Sequence, residues 1–154
     1  MTDITVFEAL LKELASMRPD RERPNRYQAR EALLHLGAAI EAGEDIAERT
    51  EGLRQAVSRI QDAWGAALEE EIQLAGAEHA LGVDPRFLDH PGYDLAYTLA
   101  ARQRLEWRLL ALAALDVPVG EDLLERIASA DARLAEHRGA LPDNPEKAAP
   151  DSGP

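Results

Sequence analysis

The sequence predicts an all-α fold: a single antiparallel bundle of four to five helices over residues 1–138, followed by a disordered Pro-rich tail at 139–154. Three observations predict it. Apolar residues recur at intervals of three and four along almost the whole chain, which is the period of one helix face, and no alternating β-type run interrupts them. The breaks between the periodic stretches carry residues that start and stop helices. The chain has 154 residues, 45% of them hydrophobic, enough for one domain that buries about two-thirds of its unfolded surface.

The first helix is expected over about residues 3–17, with Phe7, Leu10, Leu11, Leu14 and Met17 on one stripe. Thr2 or Asp3 can cap it, and Pro19 stops its continuation. A second helix begins after "RPDRERPN", where Asn25 and Gln28 stand at capping-box spacing. Leu33, Leu36, Gly37 and Ile40 form its buried edge, and Gly43 follows its end. The third helix, about 45–81, carries Ile46, Leu53, Val57, Ile60, Trp64, Leu68, Ile72 and Ala75. Gly52, Gly65 and Gly76 inside it each cost up to about 1 kcal/mol against Ala, so they mark close helix approach or a break.

The stretch "LGVDPRFLDHPGYDLAY", residues 81–97, reads as a corner between helices. Asp84 before Pro85 is a helix start, because Asp accepts from free amides and Pro has no amide to satisfy. Phe87 and Leu88 are placed to cover the bundle end, and Pro91 to open the next helix with Asp94 in its first turn. The competing reading gathers Asp84, Asp89, His90 and Asp94 around a divalent cation, but the spacing matches no known metal signature. The fourth helix is expected over about 92–115 and the fifth over about 120–138, led by Leu123, Leu124, Ile127 and Leu134. "DVPVG" between them is short enough to make them antiparallel neighbours. "GALPDNPEKAAPDSGP" has four prolines and no apolar period, the composition of a disordered tail.

Composition narrows the function classes. There is no cysteine, which excludes disulfides, thiolate metal sites and a cysteine nucleophile, and suits a cytoplasmic protein. "MTDITVFEALLKEL" lacks the basic start of a signal peptide, and "LLALAALDVPV" is too short to span a membrane. A net charge of −12 argues against general nucleic-acid binding, which needs a positive field.

Against that acidic background Arg18, Arg21, Arg23, Arg26 and Arg30 fall within thirteen residues whose only acids are Asp20 and Glu22. They are either solvated or paired locally, or they form a patch for an anion or an acidic partner through the bidentate guanidinium fork. Two pairs four residues apart mark the seams of the fourth helix: Arg102 with Glu106, and Arg104 with Arg108. If helices three and four are antiparallel across the corner, Glu71 comes level with Arg102, and the two are expected to form a structural ion pair. The fourth helix is apolar on two sides, Leu99, Trp107, Leu110 and Ala114 against Leu105, Leu109 and Leu112. Such a helix is central in its bundle or shared with a second copy.

Ferritin-like di-iron proteins need Glu-x-x-His, which is absent from this chain. Glu41 with Glu44, and Glu48 with Glu51, resemble the first half of the Mg²⁺ motif of all-α nucleotide pyrophosphohydrolases, but no Glu-x-x-Asp follows. Arg30 and His35 resemble the Arg-x4-His spacing of HEPN ribonucleases, although five residues on one helix separate them by about 140°. His35, read as exposed, also resembles the histidine of phosphotransfer domains, without the lysine that follows it there. These resemblances imply a small metal-dependent hydrolase, a ribonuclease or a phosphorelay module as alternatives. The reading expected from the residues themselves is a non-catalytic interaction or assembly protein that forms a homo-oligomer or binds another protein, with no cofactor, no metal and no membrane anchor.

Overall fold

The computed structural model describes residues 3–15, 25–44 and 50–139. The stretch from 140 onward, Met17, Arg18, Arg21, Arg23, Ile46 and Glu48 lie outside the described residues, as do the side chains of Leu11, Leu14, Leu53, Val57 and Ile60. The fold is all-α, with helices α1 Asp3–Ala15, α2 Arg26–Glu41, α3 Thr50–Gly82, α4 Pro85–Leu88, α5 Leu95–Ala114 and α6 Glu121–Gly139. Among the described residues no helix is long and apolar enough to cross a membrane.

The helix ends follow from local chemistry. The Asn25 side chain accepts from the Gln28 amide, and the Gln28 side chain accepts from the Asn25 amide, both at 2.9 Å, so the capping box is formed. At the far end of α2, Gly43 takes φ 78°, and the Gly43 and Glu44 amides donate back to Ile40 and Ala39. This is the left-handed helix stop that glycine favours. The same pair of bonds closes α5, where Asp116 stands in the glycine position at φ 56° and the Asp116 and Val117 amides reach Ala113 and Leu112. "DVPVG" therefore is a turn, but α6 packs chiefly on α3 rather than along α5 as expected, and α5 reaches it through Arg102 and Asp131.

The corner is structural, with two corrections. Asp84 caps α4 and Pro85 is its first residue, but of the two apolar residues only Leu88 is buried, while Phe87 stays 46% exposed. Pro91 does not open the next helix. Asp94 caps α5 by accepting from the Tyr97 amide at 3.2 Å, so α5 starts at Leu95. Asp94 precedes the first turn because a short aspartate satisfies the free amides better from the cap than from within the helix.

α3, 33 residues and about 50 Å long, is the spine, packed by α1, α2, α5 and α6, with α4 at its C-terminal end. The main core joins Ile4 and Phe7, Leu33 and Leu36, Trp64, Leu68 and Ile72, Leu105 and Leu112, and Leu123 and Ile127. A second cluster of Val83, Leu88, Ala130 and Leu134, with Tyr93, Leu95 and Leu99 packed on it, closes the corner end. The broadest contact is α2 against α5. Gly37 makes it possible, since any Cβ there would run into the Trp107 backbone carbonyl. Gly76 serves α6 similarly, with Leu123 Cδ1 2.7 Å from where a Cβ would stand. One apolar side of α5 is covered within the chain, with Leu105 and Leu112 in the main core; on the other, Leu99 packs on the second cluster while Trp107 and Leu110 are half-buried and Ala114 is exposed.

The predicted pairing of Glu71 with Arg102 is corrected. Glu71 bonds Arg108, six residues further along α5, and Arg102 bonds Asp131 on α6. The register of two antiparallel helices is mirrored about the middle of their connection. Ending α3 at Gly82 and starting α5 only at Leu95 moves that middle toward the C-terminus, and each α3 residue meets α5 more than a turn further on.

Candidate anion-binding cleft

Among the described residues, polar side chains join the helices at several places. His79 falls on the core stripe of α3, four residues after Ala75, and is 2% exposed. Its Nε2 lies 2.7 Å from Asp131 Oδ1, which makes Nε2 the donor; Nδ1 is buried with no hydrogen-bond partner among the described residues. Asp131 also takes two bonds from Arg102, at 2.8 and 3.0 Å, and Arg102 donates to Glu106 at 3.0 Å. Burial alone would raise the Asp131 pKa, but the bonds from Arg102 and then His79 outweigh it and hold the carboxyl below its ordinary value. Asp131 in turn raises the Arg102 pKa through its hydrogen bonds. The network ties α6 to α3 and α5.

His35, expected on an exposed face, is half-buried. Nδ1 lies 2.7 Å from Asp3 Oδ1 on α1, and Nε2 lies 3.3 Å from Glu31 Oε2. Both ring nitrogens are engaged by carboxylates, and the residue links α1 to α2. Glu41 is also engaged, because Trp107 Nε1 donates to it at 3.0 Å and Gln103 Nε2 donates to the same oxygen. At the corner, Asp84 caps α4 and binds Arg86, His90 Nδ1 accepts from the Gly92 amide at 2.9 Å, and Asp94 caps α5. Among the described residues, no three His, Asp or Glu side chains converge as a cation site.

A further assembly is open to solvent. Arg26 and Arg30 stand four apart on α2, and Arg104 and Arg108 four apart on α5, so each pair shares one helix face. Those two faces and the Glu71, Leu74, Ala75 and Glu78 edge of α3 border a cleft of about 480 Å³, with Tyr97 at one end. At its floor, Arg108 Nε and Nη2 bond Glu71 Oε1 at 3.0 and 2.9 Å, and Arg26 Nε is 3.8 Å from Glu71 Oε2. Arg26 also lies over the Tyr27 ring, 5.0 Å from its centroid. Burial lowers the Arg108 pKa, Glu71 opposes that, and the charge of Arg30 adds to the lowering, a sign that these guanidinium groups feel one another.

Four guanidinium groups therefore face two carboxylates. Glu71 is consumed by Arg108 and Arg26, and Glu78 accepts from the Tyr97 hydroxyl at 3.3 Å. Arg30 and Arg104 have no ion-pair partner among the described residues.

Of the five arginines predicted as a patch, the structure brings Arg26 and Arg30 into this cleft, and the other three lie outside the described residues. Sequence reasoning placed Arg104 and Arg108 on one seam without joining them to the patch. It also missed the pairing of Glu71 with Arg108 and of His79 with Asp131. A signal for the last two was present: Glu71 and His79 sit at helical spacing within the stripe of Leu68, Ile72 and Ala75. No family model, curated protein or solved structure matches this chain.

Proposed function

We propose that the protein is a non-catalytic binding module whose ligand is anionic and sits in the arginine-lined cleft between α2, α3 and α5. The observation that carries this reading is the pair Arg30 and Arg104, two guanidinium groups that face one cleft with no ion-pair partner among the described residues, in a chain of net charge −12. Arg26 and Arg108 are held in place by Glu71, so the cleft is pre-organised and little side-chain ordering remains on binding. Planar forks suit carboxylate or phosphate oxygens, each charge-assisted bond contributing about 1.5–3 kcal/mol.

Calorimetric titration of the full chain with inorganic pyrophosphate at low salt tests the reading. Saturable binding is expected, weakened at least about tenfold in Arg30→Gln with Arg104→Gln and weakened further by salt. Heat that never saturates, or binding indifferent to both substitutions, would refute it.

Self-association is the second reading, favoured by the exposed Leu81, Phe87 and Tyr97 at the corner end. On α5 the half-buried Trp107 and Leu110 and the exposed Ala114 add to that surface. Light scattering against concentration decides the matter: a dimer lost in Phe87→Ser supports the assembly reading, and a monomer at all concentrations removes it.

A further inference from the structure

The arginine cleft does not end at Tyr97. Glu78 and Tyr97 also line a second hollow of about 530 Å³, whose other walls include Leu81, Phe87 and Tyr93. Leu81 is 55% exposed, Phe87 46% and Tyr97 60%, so three large apolar side chains stand open together beside the charged cleft. The two hollows lie along one face of α3. Glu71, Leu74, Ala75 and Glu78 line the first, Glu78, Leu81 and Gly82 the second, and this spacing of three and four residues keeps one helix face. α5 runs antiparallel, with Arg108 and Arg104 at the charged end and Tyr97 and Thr98 at the apolar end. From Glu71 to Gly82 the trough extends about 16 Å. It is cationic at one end and apolar at the other.

Resting on the anion-binding reading above, we propose that the ligand is a small elongated amphiphile. Its carboxylate or phosphate monoester head lies on Arg30 and Arg104, and its apolar body crosses Tyr97 to lie against Leu81 and Phe87. Charge complementarity chooses this occupant over a purely apolar one, because the apolar hollow shares Glu78 and Tyr97 with the arginine cleft and so opens onto its guanidinium groups. A free anion would leave Leu81, Phe87 and Tyr97 in water. An uncharged apolar ligand would leave Arg30 and Arg104 without partners.

Titrating the full chain with octanoate, decanoate and dodecanoate below their micelle concentrations, with decyl phosphate and decanol alongside, tests the proposal. Affinity is expected to rise about two- to fourfold for each added methylene, to hold for decyl phosphate as for decanoate, and to be weakest for decanol. Phe87→Ser and Leu81→Ser, both on exposed side chains, should flatten the chain-length dependence while leaving pyrophosphate binding intact. Arg30→Gln with Arg104→Gln should reduce the fatty anions to the level of decanol.

Pyrophosphate binding that needs the arginines, together with carboxylates whose affinity ignores chain length, would overturn this inference and leave the anion-binding reading standing. Failure of every anion, pyrophosphate included, would overturn both. Fatty-anion affinity left undiminished by loss of the arginines, retention on anionic vesicles without saturable binding of monomeric decanoate, or a dimer that occupies the groove would each overturn the amphiphile.

Discussion

Replacing Glu71 by Leu would leave the Arg108 guanidinium buried with its nearest carboxylate gone and the positive charge of Arg30 close by. Glu71 is 4% exposed and Arg108 6%, so both charges are largely desolvated although they line the cleft. Breaking one side of such a pair costs about 3–5 kcal/mol, because the surviving charge keeps its desolvation penalty. In a chain of this size each kcal/mol lowers the melting temperature by about 2–4 °C, so Glu71→Leu should melt roughly 10 °C below the parent. Arg108→Met should cost less, since Arg26 Nε still stands 3.8 Å from the remaining carboxylate. The double variant replaces both charges with apolar groups and should recover most of the loss. Urea unfolding followed by circular dichroism, with a constant denaturant slope as the check on two-state behaviour, measures all four corners of the cycle. A coupling below about 0.5 kcal/mol would refute the claim that these residues act as one buried pair. Equal losses in the two single variants would refute the part assigned to Arg26.

Gly37→Ala drives a methyl into the Trp107 backbone and must part α2 from α5, for which about 1–3 kcal/mol or more of destabilisation is expected in the same unfolding assay; a neutral result would mean that the helices do not approach so closely. Asn25→Ala removes one half of the capping box, and about 1 kcal/mol of stability should go with it. Because the folded Asp131 pKa lies below its unfolded value near 3.9, its carboxylate stabilises the fold above that value, and the contribution disappears as pH falls through the folded value. Melting temperatures should therefore drop on acidification below about pH 4, with a smaller drop in Asp131→Asn; identical acid profiles would show that Asp131 is not responsible. Leu105→Ala, at a site with no exposure, should cost about 2–5 kcal/mol.

Much of the fold was legible because its determinants are local. Asn25 and Gln28 lie three residues apart and make a cap whatever surrounds them. Asp84 with Pro85, and Gly43 after α2, likewise act through their own backbone neighbours. The apolar stripes of α2, α3 and α6 placed Leu36, Leu68 and Ile127 in the core for the same reason, since spacing alone sets the face of a helix. Pro91 shows the limit of local reading. It could have opened a helix, but Asp94 supplied the better cap three residues later, and those few residues shifted the partner of Glu71 by more than a turn.

The residues that line the cleft were all visible as types, and none of their meetings were. Helical spacing shows that Arg26 and Arg30 share one face and that Arg104 and Arg108 share another. It does not say that the two faces border the same hollow. That depends on how close α2 comes to α5, which the missing side chain of Gly37 decides, and on the register of α5 against α3, which the length of the corner decides. The chain by itself determined its helices, their caps and their buried stripes, because each is settled by neighbours within a few positions along the backbone. Only the tertiary structure decided that Arg108 neutralises Glu71 while Arg30 and Arg104 are left facing the cleft, because those distances belong to helices packed from distant parts of the chain.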